Sequence, residues 1–285
     1  MKRIYRFVAL FTSLFLVLSL NSYAYNPTTD IEYDSTLKPF YFEKGGNLKG
    51  LAGDMLTYAI RSVQPEIWDL FWQEGVRVYA TQSVPNYVRT DGDSFYDGLC
   101  YSATFTYAAS GKVTKVSAPV AIYIYGDAFR ADSYQHECGH ALDYIAEYIT
   151  GKYQGPMPIS NSSEWKEIYS RNAAIMATFD GSSAVNVNRN CNEGFAEAYR
   201  LYSSYPQKLQ TNCPEVYNFV ASQISKYAAY VPALNYNNFD YWGYANDYPD
   251  LMAAYGYDKK ALWDHYMSCG KNEGRQAKRV ITPKR

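Results

Sequence analysis

The sequence predicts an α+β fold in which a small β-sheet is followed by a mostly helical C-terminal half. Residues 99–107 and 118–125 have the β-rich composition of strands, on either side of a turn at Ser110-Gly111. Apolar residues recur at helical spacing before this region and again after it. Together these observations predict a small sheet packed against helices.

Two helices and a strand are predicted ahead of the sheet region. Residues 51–63 form the first helix, and Pro65 opens a second helix that Gly75 ends. Residues 76–81 then show the alternation of apolar and polar side chains that is typical of a strand. The apolar positions that define the two helices are Leu51, Met55, Leu56, Ala59, Ile67, Trp68, Leu70 and Phe71.

The N-terminal segment, residues 1–24, has the pattern of a secretory signal peptide. Basic residues precede an apolar run over residues 7–20, and small residues occupy the cleavage positions at Ser22 and Ala24. A membrane anchor is less favoured, because the run is shorter than the roughly 20 residues that a span needs. We therefore expect an exported, extracellular protein with no membrane span in the remaining chain.

Three parts are predicted after the signal peptide. Residues 25–233 form the main domain, residues 234–276 form a small helical module, and residues 277–285 form a basic tail.

The composition limits the classes of partner and of covalent link. The formal net charge is −1 and no basic stripe occurs, which argues against a nucleic-acid partner. The five cysteines could form up to two disulfides in an exported protein. The 31 tyrosines favour amphipathic rings at the surface and core margins, or else stacking surfaces for carbohydrate.

The chemistry is concentrated in the sequence H-E-C-G-H at residues 136–140. On a helix this spacing places His136 and His140 on one face, one turn apart, so both imidazoles can bind one metal ion. Glu137 can then act on a water bound to that metal. The motif predicts a zinc hydrolase, most often a peptidase.

The motif helix has clear start and stop signals and a two-sided pattern. Asp132 or Ser133 can cap its N-terminus, and Gly151 can end it. Its apolar stripe comprises Tyr134, Cys138, Ala141, Leu142, Ile145 and Ile149. Its polar side comprises His136, Glu137, His140, Asp143 and Glu147. We expect the apolar stripe to be buried and Cys138 to be a core residue rather than a ligand.

A tetrahedral site needs a third protein ligand. The arrangement with a third histidine shortly after the motif is excluded, because Asp143 and Ala146 occupy the positions of its glycine and histidine. The later sequence C-N-E-G-F-A-E-A-Y-R instead offers Glu193 and Glu197, one helical turn apart. Glu193 is predicted as the third ligand and Glu197 as the acceptor for the free ring nitrogen of His136. The alternative is a pair of solvated surface glutamates.

The two motifs together resemble the metalloprotease domain of anthrax lethal factor and the related secreted Pro-Pro endopeptidases of clostridia. The likeness extends over residues 120–227 and is only architectural over residues 51–118. It implies a zincin-like fold of the gluzincin type, in which an edge strand beside the metal holds the substrate. It also implies one zinc ion on His136, His140 and Glu193, with Glu137 as general base. The helix over residues 214–225 would close the domain.

One position departs from the family pattern. A tyrosine usually stands seven residues before the third ligand and stabilises the oxyanion, whereas this chain has Asn186 there. The segment 179–190, interpreted as a loop, contains no tyrosine. Three alternatives remain: Asn186 replaces the phenol, Tyr153 or Tyr169 reaches the site, or turnover is slow.

The module after residue 234 resembles one copy of a short helical repeat found in secreted and surface proteins of bacteria. The resemblance is carried by the sequences Y-P-D-L-M-A-A-Y-G, L-W-D-H-Y and G-K-N-E-G-R. His265 is expected to pack within this module rather than to bind metal. The module either attaches the protein to a cell surface or cell wall, or extends the fold.

The sequence therefore predicts a secreted zinc endopeptidase that hydrolyses extracellular or surface proteins. Its expected partner is a protein or peptide substrate, and a preference for proline near the cleaved bond is suggested only by the resemblance. The alternative is a catalytically weak or inactive zincin-fold protein that binds surfaces. Intact Glu137 favours the enzyme, because a binding protein has no need of a general base.

Overall fold

The computed structural model describes residues 31–33, 40–43, 62–81, 98–125 and 131–281. The predicted signal peptide lies outside these ranges, as do residues 51–61 of the predicted helix over residues 51–63 and the end of the predicted basic tail. The last two residues of that predicted helix, Ser62 and Val63, form a turn and a bend before α1. Among the helices that are described, none combines the length and the hydropathy needed to cross a membrane.

The described elements confirm a mixed α+β architecture with the strands before most of the helices. The strands are β1 (Ile31–Tyr33), β2 (Phe40–Glu43), β3 (Arg77–Thr81), β4 (Gly98–Tyr101), β5 (Thr104–Tyr107), β6 (Val113–Ala118) and β7 (Ala121–Tyr125). The helices are α1 (Pro65–Glu74), α2 (Ala131–Ala146), α3 (Ser163–Met176), α4 (Gly181–Val187), α5 (Cys191–Ser204), α6 (Pro206–Asn212), α7 (Pro214–Ala228), α8 (Tyr241–Asp247), α9 (Pro249–Tyr255) and α10 (Lys259–His265).

Five strands form the main sheet in the order β1-β2-β3-β7-β4. The three central strands are parallel, while β1 and β4 run antiparallel to their neighbours. Leu99 on β4 pairs with Tyr123 on β7, and β4 is the last strand on its side of the sheet as described. Strands β5 and β6 form a separate antiparallel hairpin. The sheet therefore ends in an antiparallel edge strand.

Helix α1 follows the expected start and stop signals. Pro65 occupies its first turn, where the missing N–H is not needed. Gly75 adopts the left-handed conformation at φ 73° and donates its N–H to the carbonyl oxygens of the last turn. Ile67, Leu70 and Phe71 are fully buried, so the apolar stripe of this helix faces the core.

Helices α2 and α5 pack face to face at the centre of the second half. A Cβ atom added to Gly139 on α2 would lie only 2.6 Å from Ala196 Cα on α5 and 3.0 Å from Tyr199 Cβ. Only glycine allows this approach, because real Cβ atoms do not come so close to backbone atoms. The contact brings the polar face of α2 within hydrogen-bond distance of the side chains of α5.

The structure corrects three expectations about secondary structure. Residues 99–107 are not one strand: they split into β4 and β5, which belong to different sheets. Residues 113–118 form a strand that the pattern did not predict. The segment interpreted as a loop over residues 179–190 contains helix α4, whose N-terminus is capped by Asp180. A short polar helix of this kind has no apolar stripe, so periodicity alone does not reveal it.

The limits of the motif helix also differ from the expectation. Asp132 and Ser133 lie inside its first turn rather than before it. The helix ends at Ala146, and a series of turns leads to Gly151, whose φ is 76°. The turns follow because the Glu147 side chain and backbone carbonyl both bind the next segment. The six residues of the predicted apolar stripe are all buried, Cys138 included.

Helix α7 continues three residues beyond its expected end, to Ala228, and buries the predicted apolar residues. The C-terminal residues 234–276 have a small core of their own, centred on Phe239, Tyr244 and Leu262. Arg279 connects the following segment to α1 through an ion pair with Asp69, at 2.6 Å from Nε to Oδ2. All five cysteines are free thiols, so no disulfide links these parts.

Candidate metal centre and substrate cleft

Helix α2 presents both motif histidines to one cavity. Their ring centroids are 5.0 Å apart, as expected for residues one turn apart on one face. His136 and Glu137 are buried, at 6% and 7% exposure, while His140 is partly exposed. The buried apolar stripe on the opposite face of α2 holds the helix in this orientation.

Glu193 of α5 completes a three-residue cluster with the histidines. Its Oε2 atom lies 3.2 Å from His136 Nε2, and its Oε1 atom lies 3.6 Å from His140 Nε2. One donor atom from each residue falls within 4.8 Å of the others. Two imidazole nitrogens and one carboxylate, with a fourth position open, are the donor set of many catalytic zinc sites. The residues present therefore fit a zinc ion.

Glu197 lies behind His136, on the far side of its ring. The Glu197 Oε2 atom is 3.1 Å from His136 Nδ1, and the residue is fully buried. A carboxylate can only accept hydrogen bonds, so the proton of this contact belongs to Nδ1. The Nε2 atom is then the one that faces Glu193 and His140. The sequence predicted this contact with His136 for Glu197, whose role beside a metal ion stays a prediction.

A buried network holds Glu197 in place. Arg200 donates from Nε to Glu197 Oε1 at 2.9 Å, and Ser183 donates to the same oxygen at 2.7 Å. Arg200 also donates to both carboxylate oxygens of Asp180, at 2.9 and 2.8 Å. Asp180 caps helix α4 at Ser183, so one arginine joins α4 to α5. Both carboxylate oxygens of Glu197 therefore have hydrogen-bond partners, Oε2 with His136 and Oε1 with Arg200 and Ser183.

The charges of the cluster are interdependent. When no metal ion is bound, burial alone would lower the pKa of His136, but its hydrogen bonds with Glu193 and Glu197 raise that pKa to about 10. Burial would raise the pKa of Glu197, yet His136 and Arg200 bring it down to about 2. The pKa of Glu193 is lowered in the same way, by both histidines against the effect of burial. Both glutamates are therefore ionised at neutral pH.

Glu137 sits between the helix and the edge strand. Burial raises the pKa of its carboxyl group, and the nearby His140 and His136 act in the opposite direction. A Cβ atom at Gly98 of β4 would lie 2.8 Å from Glu137 Cγ and 2.9 Å from Oε1. The absence of a side chain at Gly98 is what leaves room for the Glu137 carboxylate beneath the strand.

These residues open onto a cavity of about 510 Å³. The edge strand contributes Gly98, Leu99 and Cys100, helix α2 contributes the motif residues, and α4 contributes Val185 and Asn186. The cavity therefore lies between the edge of the sheet and the two helices that carry the cluster.

The sequence analysis offered three residues as possible oxyanion donors, namely Asn186, Tyr153 and Tyr169, and the structure shows where each of them lies. Asn186 lines the cavity, and its Nδ2 atom donates to Glu197 Oε2 at 3.3 Å. The Tyr169 hydroxyl donates to the carbonyl of Val187, and Tyr153 stacks on Tyr107 with centroids 4.5 Å apart. Neither tyrosine lines the cavity. Of the three, only Asn186 adjoins the cluster.

Sequence reasoning missed several residues of the site. Tyr144 lines the cavity one turn after His140, and its spacing from the motif was a signal that could have revealed it. Met157 also lines the cavity, from the segment after α2. Arg200 lies on the same turn of α5 as Glu197, but no pattern shows that its charge is buried.

A second cluster of ligand-type side chains occurs in the C-terminal residues, formed by His265, Cys269 and Glu273. Glu273 Oε2 accepts a hydrogen bond from Arg275 Nε at 2.6 Å, and Cys269 donates to the His265 carbonyl. His265 Nδ1 lies 3.2 Å from the Tyr244 hydroxyl. These contacts favour the packing role expected for His265.

Comparisons with known proteins give one match in sequence and several matches among solved structures. No protein-family profile matches the chain. Lethal factor of Bacillus anthracis is 32% identical over 98 residues, which cover 33% of this chain and 11% of lethal factor. The chain thus spans about a ninth of that protein. The solved structure of a Pro-Pro endopeptidase from Paenibacillus alvei covers 66% of this chain and 99% of its own, with 19% identity and a TM-score of 0.42.

Proposed function

We propose that this chain is a secreted zinc-dependent endopeptidase of the gluzincin type with a zincin-like fold. The observation that carries the proposal is the convergence of His136, His140 and Glu193 around one point, with Glu137 beside it under the edge strand. The partial similarity to lethal factor supports the same class. One zinc ion per chain would be held by the two histidines and Glu193.

Strand β4, at the edge of the sheet, is proposed to bind the substrate. Strand β4 pairs with β7 on one side and contributes three residues to the cavity on the other. An extended peptide can add to such an edge through backbone hydrogen bonds, which act on any sequence. The scissile carbonyl would then lie over the metal cluster, next to Glu137.

Glu137 is assigned as the general base and acid. A zinc ion in this site would supply Lewis-acid activation of water and of the scissile carbonyl. Glu137 takes a proton from the attacking water and delivers it to the leaving amine. Its buried position raises the pKa of the carboxyl group, which favours holding that proton between the two steps.

Glu197 and Arg200 are assigned to positioning. Glu197 fixes the proton of His136 on Nδ1, so that the Nε2 lone pair is directed at the metal position. Arg200 keeps Glu197 ionised and immobile through its buried hydrogen bond. Asn186 remains the proposed oxyanion donor, and to act as one its amide must leave its hydrogen bond to Glu197.

A specific observation supports the alternative function. No tyrosine hydroxyl is bonded to the cluster in the part of the chain that is described, and Asn186 is already bonded to Glu197. A zincin-fold protein that binds peptide or a cell surface with little turnover would tolerate this arrangement. The two functions differ in whether the zinc-loaded protein cleaves peptide.

The test is cleavage of a broad peptide library by the exported chain, with and without chelator, alongside zinc analysis. Wild type should bind one zinc and cleave peptides in a chelator-sensitive manner. Glu137→Gln should keep the zinc and lose cleavage, whereas Glu193→Ala should lose both. Glu167→Ala, an exposed glutamate on α3, is the matched control and should change neither. A zinc-loaded wild type that binds peptides and cleaves none would favour the alternative.

A further inference from the structure

Asn192 lies in the first turn of α5, next to Glu193, and its partly exposed side chain lines the cavity. Its Oδ1 atom accepts hydrogen bonds from the Ser160 hydroxyl at 3.0 Å and from the Cys191 thiol at 3.4 Å. A carboxamide also carries two N–H donors on its nitrogen. None of the described residues accepts a hydrogen bond from Asn192 Nδ2. The donors of this amide are therefore left for the cavity.

A buried chain of hydrogen bonds fixes the orientation of this amide. Ser160 is fully buried, and its backbone N–H donates to Asp143 Oδ2 at 3.1 Å. The other oxygen of Asp143 accepts the N–H of Ile159 at 2.8 Å. Asp143 is itself buried and lies on α2, three residues after His140. The helix that carries the motif histidines thus holds Ser160 in place, and Ser160 holds the oxygen of Asn192 away from the cavity.

A substrate bound along β4 needs hydrogen-bond donors on both of its sides. The carbonyl groups of an extended chain point alternately to the two sides, so β4 can pair with only half of them. The others face the opposite wall of the cavity, which residues 181–193 supply. A carbonyl that leaves water without finding a donor weakens binding. In that wall Asn186 Nδ2 already donates to Glu197, whereas Asn192 Nδ2 donates to none of the described residues.

We propose that the Asn192 amide donates a hydrogen bond to a backbone carbonyl oxygen of the substrate that points away from β4. Ser160 and Asp143 act through Asn192 and are positioning residues. This inference rests on the proposed endopeptidase function and on substrate binding at β4. The contact forms with the bound substrate rather than with the oxyanion, which distinguishes it from the role proposed for Asn186. It acts on any side-chain sequence, because the carbonyl belongs to the backbone.

The experiment measures peptide affinity in zinc-loaded Glu137→Gln, which should bind a substrate peptide without cleaving it. The probes are a fluorescent peptide that wild type cleaves and a series in which one backbone carbonyl at a time is replaced by a thiocarbonyl, a weaker acceptor. Adding Asn192→Ala should lower the affinity for the parent peptide by about 5- to 100-fold, as expected when a desolvated carbonyl loses its donor. At one position the thiocarbonyl should weaken binding to the Glu137→Gln parent, but not further weaken binding to the Asn192→Ala protein.

Three other variants separate this contact from a general disturbance of the site. Asn192→Asp keeps an acceptor for Ser160 and removes the donors, so it should show the same loss and provides the test if Asn192→Ala does not fold. Ser160→Ala frees the amide to rotate and should give a smaller loss. Asn188→Ala is the matched control, because this exposed asparagine binds the Ala184 carbonyl outside the cavity. Zinc content should stay the same in all of them.

The outcomes separate the contact from the function on which it rests. If zinc-loaded wild type cleaves no peptide, the endopeptidase proposal fails and the Asn192 contact fails with it. If wild type cleaves but both Asn192 variants bind the peptide as tightly as the Glu137→Gln parent, the Asn192 contact alone is refuted. It is also refuted if affinity falls without dependence on any one carbonyl. A fall in kcat alone, measured with Glu137 intact, would assign Asn192 to the oxyanion instead.

Discussion

The close contact between α2 and α5 leads to a prediction about Gly139. Gly139→Ala would place its methyl group 2.6 Å from Ala196 Cα and 3.0 Å from Tyr199 Cβ, so the two helices must move apart. Overpacking of this kind costs about 1–3 kcal/mol. The higher helix propensity of alanine returns up to about 1 kcal/mol. We expect a net loss of about 1–2 kcal/mol in the free energy of unfolding.

The same displacement should weaken the proposed metal centre, because α2 carries two of its proposed ligands and α5 carries the third. Moving the helices apart disturbs both the Glu193 contact and the hydrogen bond between His136 and Glu197. Loss of such supporting contacts typically costs about 10- to 100-fold in metal affinity. Destabilisation and weaker zinc binding should therefore appear together in Gly139→Ala.

The assay is thermal unfolding of the chelated and zinc-loaded proteins, with zinc affinity measured by competition with a coloured chelator. For a domain of this size, 1–2 kcal/mol lowers Tm by about 2–8 °C. Gly181→Ala is the matched control, because no atom lies within 4 Å of an added Cβ there. The reasoning is wrong if Gly139→Ala matches this control in both Tm and zinc affinity.

Three further predictions concern single residues of the site. Glu197→Ala should lower zinc affinity by about 10- to 100-fold, and unchanged affinity in the competition assay would remove its positioning role. Asn186→Ala should lower kcat with little change in KM if it serves the oxyanion, while Tyr144→Phe reports whether the missed phenol does so instead. In metal-free protein the pKa of His136 is raised from 6.5 to about 10, so its stabilising contribution is complete below pH 6.5. That contribution to the free energy of unfolding should be lost as the pH rises towards 10. Thermal unfolding of the chelated proteins across this pH range should show the loss in wild type and not in His136→Gln.

Local spacing in the sequence determined much of the fold and of the candidate site. The i, i+4 separation of His136 and His140 places both on one face of any helix, because the period of the helix is a property of the backbone. Pro65 and Gly75 mark the ends of α1 for the same local reason. The α+β class follows from such patterns, while the predicted signal peptide and domain limits stay predictions.

Packing between segments far apart in the sequence decided the pairing of the strands and the contacts within the candidate site. Alternation along residues 99–107 indicates strand conformation, but only long-range pairing assigns its two halves to different sheets. The spacing of Glu193 and Glu197 predicted a shared helix face, yet their contact with His136 depends on the close approach of α2 and α5 at Gly139.

The positions of Arg200, Tyr144 and Met157 also depend on contacts between segments far apart in the sequence. In the sequence, Arg200 cannot be distinguished from a surface arginine. Its guanidinium is buried between Glu197 and Asp180 only because of where α4 packs. Met157 has a positive φ and donates its backbone N–H to the Glu147 carboxylate ten residues earlier, and no propensity of methionine predicts this conformation. The sequence by itself determined which of the proposed ligands share a helix face. Only the tertiary structure decided what surrounds them, because burial and backbone strain arise from contacts between segments far apart in the chain.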